Sequence, residues 1–442
     1  MALAPSNVAD ERRTPAIGAV ASTGTFSGDG LPRRPNAARL SRSGTAEQDA
    51  PRRPRLLIVG FVTSVHLVRY LDLLKGAEWD LHLFDALPGS KPNPGYDTPM
   101  TLHLERESAV TLSPRVTVVP DPQRGTGIEG RSAHLARVIE QLRPDVIHSH
   151  ELAITGTVVH RTRQRLDGFD APWLVTNWGS DIFWNGRSPN VVPHLREVLA
   201  ACDYYSAECH RDVALARAFG FRGEVLGVWA VAGGIDPRQV AELRTPGPTS
   251  ARRAIALKGV VGEHGRADVG LAAIERCAPL LQGWELCGYQ MEPPVIERTR
   301  ELAAATGMRY THMSDGDTLG SSHAQILAMH GRSRVSLGLN RTDGLSMSFV
   351  EALTMGSMPV QGHGSCGYEL TPDGVGALFV DPRDVDAVTA ALQRAITDDA
   401  LVDRAAARNA SIAAEHLDRG RIATRVLDGY ERIISEKAME AL

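Results

Sequence analysis

Lysines, cysteines and long apolar runs are all scarce in this 442-residue sequence. Only four of its 48 basic residues are lysines, and a formal net charge of −4 argues against the concentrated basic face that nucleic-acid binding needs. The five cysteines form no CxxC pair, which favours buried thiols in a reducing compartment over a disulfide framework or a zinc site. No run approaches the roughly 18 apolar residues of a membrane span, and no secretory leader opens the chain. These absences predict a cytoplasmic protein without a nucleic-acid partner or a stable membrane span.

Length and patterning predict two domains behind an unstructured start. Residues 1–53 are rich in Ala, Pro, Ser, Gly and Arg and lack apolar periodicity, so we expect a disordered extension. From Arg55 onward, apolar runs of strand length alternate with helical patterns. That alternation predicts parallel, doubly wound sheets with ligands at the carboxyl ends of the strands. The stretch 237–251, which contains PGPTS, is interpreted as a linker into the second domain.

The stretch RTDGLSMSFVEALTMGSMPV, residues 341–360, has the pattern of a loop that enters a helix and then returns to a strand. Free backbone N–H groups at 344–346, with the positive end of the helix dipole behind them, would form a phosphate site. Asp343 and Glu351 would flank that site, and carboxylates are good acceptors for sugar or ribose hydroxyls. The pattern therefore predicts a nucleotide-sugar pocket. The simpler alternative is an amphipathic helix with a solvated acid at each end.

This stretch resembles the Glu-x7-Glu signature of the family 4 retaining glycosyltransferases, with Asp343 at the first acidic position and Glu351 at the second. The resemblance implies that the first acid contacts the donor sugar as a catalytic residue and that the second binds the ribose. It also implies that the amides of Gly344, Leu345 and Ser346 bind the diphosphate. Asp343 stands where the family usually has glutamate, so its carboxylate has a shorter reach.

A second motif follows the strand AIALKG, where the alternation of strand and helix restarts. The run KGVVGEHGRADVGLAAI resembles a motif of one branch of the same family, in which a lysine and an arginine bracket a glycine loop. The resemblance implies that Lys258, Gly259 and Arg266 bind the diphosphate. The two cations would stabilise the leaving nucleotide as the glycosidic bond breaks, which gives Lys258 a catalytic role. A surface charge pair is the alternative.

Two histidines end the strand pattern DVIHSH. Strand alternation puts His148 and His150 on the same side. The resembled family has a histidine at this strand end that contacts the donor sugar, and His150 matches it best, which implies a catalytic role. A buried, hydrogen-bonded structural histidine is the alternative. A metal site formed by His148, His150 and Glu151 is less favoured, because neighbouring side chains on one strand seldom converge on one ion.

Two other loops carry candidate acceptor-binding residues. The loop GFVTSVH lacks the GxGxxG pattern of dinucleotide enzymes and presents Ser64 and His66. The loop TNWGSDIFWNG resembles one found in a polysaccharide-forming branch of the family, and its Asp181 could accept a hydrogen bond from an acceptor hydroxyl. The alternatives are that His66 is only a helix N-terminal histidine and that Asp181 caps the following turn.

Together the residues and the resemblance imply an α/β protein of the GT-B fold, with two doubly wound Rossmann-like domains facing a cleft and a disordered N-terminal extension. The expected divisions are an extension at 1–53, an acceptor domain at 54–236, a nucleotide-sugar domain at 237–418 and a helix at 419–442 that crosses back to the first domain.

The implied reaction is transfer of a hexosyl group, with retention at the anomeric carbon, from a nucleotide sugar to the hydroxyl of a small molecule or glycan. A UDP-sugar is the expected donor. Neither a metal nor another cofactor is expected if the cations and helix amides carry the charge of the diphosphate. The alternatives are an epimerase or hydrolase on the same fold, and a non-catalytic nucleotide-sugar-binding protein. Assembly as a homodimer stays open.

Overall fold

A computed structural model describes residues 52–61, 64–74, 76–86, 116–119, 126–168, 170–313 and 323–440. The disordered extension predicted for residues 1–53, apart from its last two residues, lies outside the described residues.

The first sheet is built from the N-terminal half of the chain. Within the described residues its strands are β1 (Arg55–Gly60), β2 (Asp80–Asp85), β3 (Val116–Val118), β4 (Val146–His150), β5 (Trp173–Thr176), β6 (Tyr204–Ala207) and β7 (Glu224–Val228). All neighbouring strands run parallel, in the order β3-β2-β1-β4-β5-β6-β7. Every residue of β4 is buried, as expected for a central strand of a parallel sheet with covered faces.

The second sheet is also parallel and is built from the C-terminal half. Its described strands are β8 (Ala254–Lys258), β9 (Glu285–Tyr289), β10 (Arg309–His312), β11 (Val335–Gly338), β12 (Met358–Gly362) and β13 (Leu378–Val380). They lie in the order β10-β9-β8-β11-β12-β13. In both sheets the strand order reverses direction next to the first strand, and at such a switch point the carboxyl ends of the strands open a crevice for ligands.

Helices connect the strands and cover the sheets. The described helices are α1 (Val65–Leu73), α2 (Gly127–Leu142), α3 (Thr155–Arg163), α4 (Ser180–Phe183), α5 (Val192–Ala201), α6 (His210–Phe219), α7 (Pro237–Leu243), α8 (Ala267–Arg276), α9 (Pro293–Thr306), α10 (His323–Arg332), α11 (Met347–Thr354), α12 (Val385–Thr397), α13 (Asp399–Ile412) and α14 (Arg419–Glu440). The predicted pair of doubly wound α/β sheets is confirmed. Among these helices, none combines the length and apolarity needed to cross a bilayer.

The stretch expected to be a linker is partly helical. Its first residues form α7, because the Asp236 side chain accepts a hydrogen bond from the N–H of Arg238 at 2.8 Å and Pro237 takes the first helical position. A short 3-10 helix, Thr249–Ala251, then leads into β8.

The final helix, α14, packs against the first sheet. The hydroxyl of Tyr430 lies 3.0 Å from the hydroxyl of Tyr70 on α1 and 2.5 Å from Nδ1 of His148 on β4. At the start of the helix, Nη2 of Arg419 donates to the carboxylate of Asp72 at 2.7 Å. A buried polar network and an ion pair therefore fasten the C-terminal helix to the N-terminal sheet.

Candidate active site

Two loops meet where the carboxyl ends of the sheets face each other. One follows β5 and contains Gly179, and the other follows β11 and contains Gly344. A Cβ atom added to Gly179 would lie 1.7 Å from the backbone nitrogen of Gly344, and Gly179 has a φ of 78°. Close by, Oγ1 of Thr342 donates to Oγ of Ser180 at 3.2 Å. The backbones of the two halves are thus in direct contact, at a position that only glycine fits.

Glu351 is a buried carboxylate on α11. Its oxygens lie 3.0 Å from Nε2 of His323, 3.6 Å from Nε2 of His330 and 3.7 Å from Nη1 of Arg69. Burial alone would raise the pKa of Glu351, but the interactions with His323 and His330 hold that pKa far below its ordinary value. The carboxylate therefore stays ionised and can accept hydrogen bonds from hydroxyl groups.

Asp343 and Lys258 belong to the same patch of the second sheet. The Asp343 carboxylate is half-buried and accepts hydrogen bonds from Nδ2 of Asn340 at 3.0 Å and from the N–H of Gly344 at 3.1 Å. Burial raises the pKa of Asp343, and the positive charge of Lys258, at the end of β8, opposes that rise. The two predicted donor-binding side chains are therefore close enough to interact electrostatically.

His66 faces this patch from the first sheet. Burial lowers the pKa of its imidazole to about 4, and the charges of Arg69 and Lys258 add to the effect. The ring is consequently neutral at physiological pH. Its centroid lies 5.7 Å from that of Trp178, so α1 and the loop after β5 form one wall opposite Lys258.

Arg266 is paired with a carboxylate two positions along the chain. Its guanidinium forms two hydrogen bonds to Asp268, from Nε at 2.9 Å and from Nη2 at 2.8 Å. Gly259 is tightly enclosed, since an added Cβ would lie 2.0 Å from Cγ of Met291. Donor binding by Arg266 and Gly259 stays a prediction.

The two histidines of β4 have different environments. His148 is hydrogen-bonded on both sides, by Tyr430 at 2.5 Å and by Oγ1 of Thr176 at 2.7 Å, so it fits the description of a structural histidine. His150 is also fully buried, but neither ring nitrogen hydrogen-bonds to any described residue. Its ring packs 4.3 Å from that of Tyr70, and burial lowers its pKa to about 3. A sugar contact at His150 stays a prediction.

Ser64 and Asp181 both make local backbone contacts. Oγ of Ser64 accepts from the N–H of His66 at 3.3 Å and caps α1. Asp181 is buried, and its carboxylate accepts from the N–H groups of Leu152 at 2.7 Å and Trp178 at 3.0 Å. Both donors precede Asp181 in the chain, so the alternative in which Asp181 caps the following turn is not observed. Acceptor binding by Ser64 and Asp181 stays a prediction.

Glu208, just after β6, was not a sequence candidate, yet it reaches the predicted phosphate site. Its Oε2 accepts a hydrogen bond from the N–H of Leu345 at 3.0 Å, and its Oε1 accepts from the N–H of Val231 at 3.2 Å. Burial raises the pKa of Glu208 well above its ordinary value, and the charge of Asp343 contributes. A carboxyl group from the first domain therefore occupies one of the amides expected to bind the donor diphosphate.

The other two amides of that site are also engaged. The N–H of Gly344 donates to the carboxylate of Asp343, and the N–H of Ser346 donates to Oγ of Ser365 at 3.3 Å. The sequence predicted free N–H groups here, but each has an acceptor within the chain. A phosphate would have to displace those acceptors.

Residues 55–206 match a family model described as glycosyl transferase 4-like. This segment is therefore similar to the glycosyl transferase 4-like family. The expected resemblance of the chain to this family is thus confirmed, by a segment other than the motif around Asp343 and Glu351. No curated protein matches the sequence significantly.

Solved structures share the fold of this protein. Sucrose-phosphate synthase from Thermosynechococcus elongatus is 15% identical, with a TM-score of 0.64 over 87% of this chain and 100% of the other. HepE from Anabaena, solved with UDP-glucose, is 12% identical, with a TM-score of 0.58 over 86% and 99%. A glycosyltransferase from Rickettsia africae is 12% identical, with a TM-score of 0.59 over 86% and 99%. At these identities the likeness shows the fold alone, and that fold is GT-B.

Proposed function

We propose that the protein is a retaining glycosyltransferase that moves a hexosyl group from a UDP-sugar to an acceptor hydroxyl. The observation that carries the proposal is the meeting of Lys258, Asp343 and Glu351 on the second sheet with His66 and Arg69 on the first. The cleft between the halves is thus lined by the ammonium group of Lys258, the ionised carboxylate of Glu351 and the neutral imidazole of His66. The match of residues 55–206 to the glycosyl transferase 4-like model supports the reaction class. The fold shared with HepE, which was solved with UDP-glucose, supports the donor class.

Each of these groups has a role in that reaction. Glu351, held ionised by two histidines, would accept hydrogen bonds from the ribose hydroxyls. The N–H of Leu345 donates a hydrogen bond to a carboxyl oxygen of Glu208. A phosphate oxygen would accept from this same N–H at the helix N-terminus. Lys258 would stabilise the charge that develops on the leaving diphosphate.

Retention would follow from attack on the face from which the nucleotide leaves. In that mechanism the leaving diphosphate takes the proton of the acceptor hydroxyl, and no protein nucleophile is required. We propose that Lys258 and the amides at 344–346 supply the charge stabilisation without a catalytic metal, and that the reaction takes place in the cytoplasm.

The first test is thermal stabilisation by a panel of nucleoside diphosphates and nucleotide sugars. A ligand at 100 times its Kd should stabilise the fold by about 2.7 kcal/mol. We expect UDP and one UDP-sugar to raise the Tm of the wild type, and Lys258→Ala and Glu351→Ala to lose the response. Lys437→Ala, which removes a lysine near the end of α14, is the matched control and should respond like wild type.

The second test is turnover with the stabilising donor and a panel of acceptors, with the anomeric configuration of the product determined by NMR. An α-linked product from an α-linked donor would support retention, and an inverted product would contradict it. Free sugar or an altered nucleotide sugar formed without an acceptor would instead favour a hydrolase or epimerase. Binding without turnover would favour a nucleotide-sugar-binding protein.

A further inference from the structure

Two thiols and a carboxylate meet between the halves of the protein. Cys209 immediately precedes α6 of the first half, and Cys366 and Glu369 lie on the 3-10 helix Cys366–Glu369 of the second half. One ligand atom from each of the three side chains lies within 4.8 Å of the other two. Both thiols are buried, whereas Glu369 is exposed, so the sulfur atoms lie on the inner side of the cluster and the carboxylate lies on its solvent side.

The carboxylate is already oriented by the opposite half of the chain. Its Oε2 accepts from the N–H of His210 at 2.7 Å, and its Oε1 accepts from the N–H of Arg211 at 2.9 Å. A carboxylate has about four lone-pair positions, so these bonds leave capacity for an ion. Such outer contacts fix the geometry of metal ligands.

The nearest cation is itself engaged. Nε of Arg211 donates to the buried carboxylate of Asp212 at 2.8 Å, so its charge is largely balanced locally. The paired Arg211 would therefore repel a divalent ion beside Cys209 less strongly than an unpaired arginine at the same position would.

We propose that Cys209, Cys366 and Glu369 form a zinc site that joins the two domains, with water as the fourth ligand. Thiolate sulfur selects soft or borderline ions such as Zn²⁺. Tetrahedral zinc with Zn–S bonds of about 2.3 Å places its ligand atoms roughly 3.8 Å apart, so the cluster needs only a small contraction. Binding converts two thiols into thiolates and releases two protons, with no change of oxidation state.

The consequence is a link between the halves beside the candidate active site. The N–H of Cys366 donates to the carbonyl oxygen of Gly344 at 2.8 Å, and Cys209 directly follows Glu208. Zinc would hold these two segments together and stabilise the contact between the halves at this place. The two cysteines are separated by 157 positions (366 − 209), so no local spacing reveals the site.

The test is titration of the metal-free, fully reduced protein with Co²⁺, a spectroscopic probe for zinc sites, followed by Zn²⁺. We expect one equivalent of Co²⁺ to produce thiolate-to-cobalt charge-transfer absorption, and one equivalent of Zn²⁺ to abolish it and raise the Tm. Cys209→Ser and Cys366→Ser should lose the absorption. Glu369→Gln should keep it while binding at least tenfold more weakly. Cys277→Ser, which removes a buried thiol of the second domain, is the matched control and should bind like wild type.

Three results would overturn the inference. One is the absence of thiolate-to-cobalt absorption in the reduced wild type. Another is absorption that persists in Cys209→Ser or in Cys366→Ser. The third is Glu369→Gln binding as tightly as wild type, and this surface variant keeps the test decisive even if a buried cysteine variant fails to fold.

Discussion

Removing the carboxyl group of Glu208 should tighten the binding of a nucleoside diphosphate. In the structure this group accepts a hydrogen bond from the N–H of Leu345, which is one of the amides that would bind the donor. A diphosphate can use that amide only after the bond to Glu208 breaks. The intrinsic affinity of the site is therefore reduced by the free energy of the contact that must be given up.

The size of the effect follows from the protonation state. Burial raises the pKa of Glu208 well above its ordinary value, which favours the neutral carboxylic acid over the carboxylate. A neutral hydrogen bond contributes about 0.5–1.5 kcal/mol, and 1.4 kcal/mol corresponds to a tenfold change in Kd. Glu208→Ala should thus lower the Kd for UDP by about two- to tenfold.

Isothermal titration calorimetry with UDP would measure this change. Glu208→Gln keeps the size and one carbonyl acceptor, so its Kd should fall between those of the wild type and Glu208→Ala. Glu415→Ala, an exposed carboxylate outside the cleft, is the control and should leave the Kd unchanged. An unchanged or higher Kd in Glu208→Ala would refute the competition between Glu208 and phosphate.

Three further predictions concern the contact between the halves and the buried network beneath it. Gly179→Ala should reduce the transfer rate by more than tenfold with unchanged far-UV circular dichroism, because its Cβ would lie 1.7 Å from the nitrogen of Gly344 and keep the loops apart. Tyr430→Phe should lower the free energy of unfolding in urea by about 1–3 kcal/mol, because it removes the hydrogen-bond partner of the buried Nδ1 of His148, while Nε2 keeps its bond to Thr176. The pKa of His150 is about 3 in the folded protein and 6.5 in the unfolded chain, so between these values only the unfolded chain binds the proton. The contribution of His150 to the free energy of unfolding is therefore complete above pH 6.5 and is lost as the pH falls toward 3. Urea unfolding of His150→Asn across this range should show a pH slope smaller by up to about 1.4 kcal/mol per unit.

Local patterning was sufficient to predict the elements and the positions of several candidate site residues. Apolar runs bounded by glycine loops gave the strands, and the loop-helix-strand pattern at 341–360 placed Asp343 before a helix that carries Glu351. Strand ends predicted where Lys258 and His66 would lie, because the carboxyl ends of parallel strands share one edge of a sheet. These inferences depend on residues near one another in sequence, for which period and turn chemistry are informative.

Contacts between the halves could not be predicted in the same way. Glu208 ends an ordinary strand pattern, YYSAE, and nothing in that run distinguishes it from a solvated acid. Its importance comes from the amide of Leu345, 137 positions away, which only the docking of one domain on the other brings near. Strand alternation likewise grouped His148 with His150. The difference between them depends on Tyr430, which approaches from the last helix.

The docking also resolves an electrostatic difficulty in the cleft. A diphosphate carries negative charge, and Glu208 and Asp343 lie at the amides that would bind it, with Lys258 as the facing cation. If both acids were ionised, they would repel the donor. Burial raises the pKa of both, which favours the protonated carboxyl groups. A protonated carboxyl group carries no net charge, so its presence at these amides adds no charge repulsion against an anionic donor. The packing of one half on the other, which partly buries these acids, is therefore the condition under which they are compatible with an anionic donor.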